Sequence, residues 1–186
     1  MAYPSKLHAE QILQEAQTLL EQGGPEALRM RGLAESLGVR ASSLYRHFPN
    51  REALLRALED GATRHLQTAI QAAGRDLPPR AALHATAHAY LHYARTHPHL
   101  YALLLTPGRE ATDPRGTAGK ALWNTLLEQV GALSGHPDDT DHAVALWTFL
   151  HGFVVLERSG LFGASGPRGG LEVGLKALFD QMEGRG

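Results

Sequence analysis

The 186-residue sequence contains no cysteine. That absence removes disulfides, thiolate nucleophiles and cysteine-based zinc sites together. Nowhere do about 18 apolar residues run consecutively, the length needed to cross a bilayer. The opening "MAYPSKLHAEQ" also lacks the apolar stretch of a signal peptide. A soluble, cytoplasmic chain with no membrane partner is expected. Catalytic signatures are missing too. "FGASGPRGG" is not a Gly-x-Ser-x-Gly elbow, and no Lys follows a Gly-x4-Gly spacing. Glycine there reads as connector, and neither an enzymatic activity nor a cofactor is expected.

An excess of one charge is lacking as well, since the formal net charge is −1. The distribution says more than the sum. Between Lys6 and Leu28 stand four Glu (10, 15, 21, 26) and one Lys. Between Arg29 and Arg56 stand six Arg (29, 31, 40, 46, 51, 56) against Glu35 and Glu52, a local charge of +4. The positive charge gathers on one short stretch, as a polyanion-binding surface requires.

What is present is helical patterning throughout. With 43% hydrophobic residues, a chain of this length forms one or two domains and buries about 70% of its unfolded surface. Ala9, Ile12, Leu13, Ala16, Leu19 and Leu20 fall on one stripe at helical spacing. "EQGGPEAL" ends that helix, with Gly23 and Gly24 free to take a left-handed turn. Short helices are predicted near 31–37 and 41–47, followed by longer ones at 51–73, 79–96, 98–105, 116–133, 138–162 and 170–183. The breaks "TPGREATDP", "SGHPDD" and "FGASGPRGG" are rich in Gly and Pro. No alternating run is long enough for a strand, so the expected fold class is all-α.

Ala34, Gly38 and Leu44 are spaced as in a helix-turn-helix. Two short helices crossing steeply need a small residue at their contact, and Ala34 is small. The turn needs a residue tolerant of positive φ, which Gly38 provides. The second helix needs a large apolar anchor on its inner face, which Leu44 provides, with Val39 sealing the turn. The outward face of 41–47 would then enter a major groove. Ala41, Ser42 and Ser43 let the backbone come close and offer hydroxyls to bases or phosphates. Tyr45, Arg46 and His47 reach flanking phosphates. Arg29, Arg31 and Arg40 add charge nearby, and Arg51 opens a helix whose N-terminal amides favour an anion.

The segment "LRMRGLAESLGVRASSLYRHFPNREALLRAL" resembles the DNA-binding region of TetR-type (TetR/AcrR) transcriptional regulators. The resemblance rests on Leu33-Ala34, Gly38-Val39, Leu44-Tyr45-Arg46-His47-Phe48 and Arg51, and covers about the first 60 residues. The family usually caps the second helix with Ser or Thr. This chain has "RMR" at 29–31 instead, which costs about 1 kcal/mol of capping and leaves Met30 to contact sugar or a thymine methyl. The Trp147…His151-Gly152 pattern resembles a WHG-like C-terminal domain type of the same family.

The resemblance implies a three-helix DNA-binding domain over residues 1–50. A larger helical ligand-binding and dimerisation domain would fill 51–186, for about nine helices in all. "AVALWTFLHGFVVL" (143–156) is apolar almost all round, so it is expected to be covered on two sides. Gly152 in mid-helix suggests a close backbone approach. Together with the stripe Leu171, Leu175, Leu178, Phe179 and Met182, the residues Phe149, Gly152, Phe153 and Leu156 are the expected homodimer interface. Dimerisation would let two recognition helices meet the half-sites of a near-palindromic double-stranded operator. The resemblance also implies an effector cavity for a small, mostly apolar molecule, with His88, Tyr93, Tyr101, Trp123, Trp147 and His151 as candidate lining residues. Effector binding would release a repressor from its operator.

Two alternatives stand beside that reading. His84, His88 and His92 follow one another at i, i+4 steps, and imidazoles one turn apart can hold a metal. A metal-responsive regulator would use that row. No carboxylate is in register along the helix and the row drifts round its axis, so no metal site is assigned. The other alternative is a helical ligand-binding protein without DNA binding.

Overall fold

Nine α-helices and no strand make up the regular structure among the described residues. In this computed structural model the described residues are 7–105, 116–163, 166 and 169–184. The connector expected at 106–114 lies outside them, as does part of the one at 162–170. The chain divides into two compact units. One takes residues up to Thr63 together with a segment from His97, and the other takes Arg64–Thr96 and the residues from Arg115 on.

In the first unit, α1 (Ala9–Ala27) buries the predicted stripe through Ile12, Ala16 and Leu20. It breaks where glycine allows a break: Gly24 takes φ +71°, and Pro25 follows. Helices α2 (Met30–Ser36) and α3 (Ala41–Tyr45) pack on one another through Leu33, Ala34 and Leu44. Burying Leu44 completely is worth about 1.5–3 kcal/mol, much for a helix of five residues. Gly38 has φ +65° in the turn, and the Val39 amide donates to the Ala34 carbonyl at 2.9 Å. Met30 is itself buried, which corrects the expectation that it meets DNA. Arg29 takes the cap position and supplies no side-chain hydrogen bond there, while Met30, the first residue of the helix, packs its apolar side chain inward. Helix α4 (Arg51–Gly74) starts after Asn50, whose Oδ1 accepts from the Ala53 amide at 2.8 Å. Helix α6 (Pro98–Leu104) packs on α1, and Glu21 accepts from the free amides of His99 and Leu100 at its start.

The second unit is built from the rest of α4 with α5 (Pro79–Thr96), α7 (Gly116–Ser134), α8 (Thr140–Arg158) and α9 (Gly170–Glu183). Asp139 caps α8, accepting from the His142 amide at 3.3 Å and pairing with His142 Nδ1 at 2.7 Å. Burial pushes the Asp139 carboxyl up, but hydrogen bonds from His142 and Ser134 outweigh this and hold it below its ordinary value. Helix α8 buries Ala143, Leu146, Leu150 and Val154. Helix α9 buries Leu171, Leu175, Phe179 and Met182, at 6%, 0%, 2% and 0% exposure. These four members of the expected interface are thus used inside their own chain, while the fifth residue of the stripe, Leu178, is half-buried. The close approach expected at Gly152 is also absent within the chain, where an added Cβ would meet nothing within 4 Å. It occurs instead at Gly174, where a Cβ would lie 2.2 Å from the Phe149 ring.

Candidate nucleic-acid interface

The sequence places only one large apolar side chain on α3's inner face, and its outer face follows from that. With Leu44 at 0% exposure, Ser42, Tyr45, Arg46 and His47 are left exposed, and Ala41 and Ser43 are half-exposed. Arg40, at the cap position, and Arg29 and Arg31, at the start of α2, are exposed as well. Tyr45 is 48% exposed, a large ring that the fold leaves in solvent. Apart from Arg51, the predicted residues are therefore exposed or half-exposed on α3, beside it and at the start of α2. A face of small hydroxyls, an amphipathic ring and cations can lie against a groove and its phosphates.

Arg51 stands apart from this set. Its Nε donates to the Leu28 carbonyl at 2.7 Å, and its Nη2 donates to the Pro25 carbonyl. The Gly24 break leaves carbonyls at the end of α1 without helical amide partners, and a guanidinium fork satisfies two of them. Arg51 thus ties α1 to the start of α4 and has two of its nitrogens occupied. The signal in the sequence was the Gly-Pro break rather than the arginine. Ser36 similarly donates to the Glu15 carboxylate, joining α2 to α1.

The residues expected to line an effector cavity fall in both units. Tyr101 is buried in the first unit, while Tyr93, Trp123, Trp147 and His151 belong to the second. Tyr93 is buried with its ring edge-on to His65 at 5.6 Å, and Trp123 meets Trp147 edge-on at 6.2 Å. Burial pulls the His151 imidazole below its ordinary value, so it stays neutral near pH 7. His88 points outward, against Glu172 at 2.9 Å. Of the expected dimer residues, Leu156 is 41% exposed. Around it the sequence reading missed other apolar side chains left outside. On α8 these are Val144 and Val155, and Val173 on α9 is 71% exposed. An all-round apolar helix was the available signal, since its own unit covers only one face.

Comparison with known proteins finds two family models that match the chain. Residues 12–58 match the family model for bacterial regulatory proteins of the tetR family. Residues 83–182 match that for a tetracyclin repressor-like C-terminal domain. An uncharacterised HTH-type transcriptional regulator of Mycobacterium tuberculosis is 32% identical over 165 residues, covering 87% of this chain and 75% of that one. A protein of unknown function from Rhodococcus sp. RHA1 has a similar structure, with TM-score 0.80 and 24% identity over 98% of this chain and 97% of that chain. BioQ, solved with its natural double-stranded DNA operator, superposes with TM-score 0.68 and 25% identity, covering 96% and 99% of the two chains.

Proposed function

The chain belongs to the TetR family of DNA-binding transcriptional regulators, and on that premise we propose that it is a homodimeric repressor released from a palindromic operator by a small, mostly apolar effector. Residues 1–50 read the DNA, and residues 51–186 dimerise and bind the effector. The observation that carries the reading is α3, which buries Leu44 alone and turns Ser42, Tyr45, Arg46 and His47 to solvent. Arg29, Arg31, Arg40 and Arg46 supply phosphate contacts, and Ser42 and Ser43 supply contacts to base edges. Arg51 is a positioning residue in this account, because it holds the end of α1. No catalytic step is assigned. The operator that BioQ carries in its crystal structure supports a duplex of this kind as the partner.

Dimerisation is proposed through the outer face of α8, with Val144, Val155 and Leu156, and through Val173 of α9. Open space beside Gly152 supports a close backbone approach there by a second copy. The two-fold axis of the dimer then coincides with that of the operator. An effector that prefers one dimer geometry lowers operator affinity by its differential affinity for the two states, and by no more. The test is sedimentation of the protein with a fluorescent duplex taken from beside its own gene. Two or four chains per duplex support the dimeric reader, and saturation at one chain refutes it. A reporter driven from the same fragment should rise when the protein is deleted if it represses, and a fall would make it an activator.

A further inference from the structure

On the surface of the second unit, α5 and α9 bring together three metal-ligating side chains that the regulatory reading does not use. His84 Nε2 lies 2.8 Å from Glu172 Oε2, and His88 Nε2 lies 2.9 Å from Glu172 Oε1. The two imidazole rings are 4.6 Å apart, centroid to centroid. One nitrogen from each histidine and one carboxylate oxygen lie within 4.8 Å of one another, the one such group of three among the described residues. We propose that His84, His88 and Glu172 form a site for a divalent transition metal, zinc above all, that bridges α5 to the first turn of α9.

The chemistry favours this class of ion. Imidazole suits zinc, nickel and copper, whereas magnesium and calcium need oxygen-dominated shells. Two histidines one helical turn apart with a glutamate from elsewhere is a ligand set zinc accepts, with a fourth position open to water. Metal–ligand bonds of about 2.0–2.1 Å at tetrahedral angles put ligand atoms about 3.3 Å apart. The 2.8 and 2.9 Å separations need to open by a few tenths of an ångström, and the remaining separation between ligand atoms, up to 4.8 Å, needs to close around the ion. Exposures of 45%, 44% and 52% for the three side chains leave them free to make that adjustment and leave the fourth position in solvent. A single carboxylate meeting two imidazoles, one on each oxygen, also distinguishes the arrangement from an ordinary surface ion pair. His92 does not join the group. Each step of four residues turns about 40° past a full circle, so two members of the row share a target and the third has rotated away.

The site stands independently of the DNA-binding reading, and its test uses no DNA. Full-length untagged protein, stripped with chelator and dialysed, is titrated with zinc by calorimetry and with cobalt(II) by visible absorption. One ion per chain is expected, with a cobalt spectrum of tetrahedral intensity. Loss of a group behind a metal ligand already costs about 10–100-fold in affinity. His84→Ala, His88→Ala and Glu172→Gln should therefore each weaken binding by more than about tenfold, while His92→Ala leaves it unchanged. All four positions are exposed, so circular dichroism should show intact folds. Absence of stoichiometric binding overturns the proposal. So does binding that survives Glu172→Gln, or that falls as far in His92→Ala as in His84→Ala.

Discussion

Helices α3 and α8 each bury one face in their own unit and leave another outside, and the two outer faces have opposite chemistry. On α3 and the two residues after it the outer side chains are hydroxyls, a tyrosine, an arginine and a histidine around a single buried leucine. On α8 they are Val144, Val155 and Leu156, set against buried Leu146, Leu150 and Val154. A polar outer face with arginines at its margins suits phosphates and base edges. An apolar one loses free energy in water and suits another protein surface. In the proposed account one face is offered to DNA and the other to a second copy, and substitutions at four positions probe the two helices.

The largest effect is expected on α8. Leu156→Asp removes an apolar contact on both copies, about 3–6 kcal/mol by symmetry. Sedimentation should show monomers at micromolar concentration with unchanged helix content, and a persistent dimer would move the interface elsewhere. Leu44→Ala comes next, because it deletes the one anchor of α3. A loss of about 2–5 kcal/mol, read as faster hydrogen exchange across α2 and α3 and as loss of DNA binding, is expected. Retained binding would mean that α3 is held by something other than Leu44.

Asp139→Ala should cost about 1–2 kcal/mol by uncapping α8, seen as a lower melting temperature. The Asp139 carboxyl sits below its ordinary 3.8. Its contribution is therefore complete above that value and fades as pH falls through the lower folded value. The variant's deficit should shrink in acid, and a deficit independent of pH would remove the carboxylate from the explanation. Asp139→Asn keeps a capping acceptor and should lose less. The smallest effect belongs to Arg46→Ala. If Arg46 holds a phosphate, binding to all sequences weakens and the salt slope flattens by about one unit. A change confined to one operator sequence would make Arg46 a base reader instead.

Much of this was legible from spacing. The helix boundaries, the positive φ at Gly38, the inward Leu44 and the exposed residues of α3 all follow from rules that act over three to ten residues. What was illegible depends on partners far along the chain. Periodicity showed that α9 has an apolar stripe, but not that its own unit would cover Leu175 and Phe179. It marked Arg51 as a cation at a helix start, but not the carbonyls of Pro25 and Leu28 that occupy it. The histidine row looked incomplete because its carboxylate, Glu172, lies 84 residues beyond His88. Gly152 drew attention as a mid-helix glycine, yet the ring that needs a glycine is Phe149 and the glycine it meets is Gly174.

The central claim, that the outer face of α3 reads a specific duplex, is tested most directly by titration at two salt concentrations. The protein is titrated against fragments from beside its own gene, with random duplex as control. The account predicts preference for one fragment by about 10³ or more over random duplex, lost when Leu44 is replaced. Weak binding to all these duplexes alike, vanishing as salt rises, would contradict it.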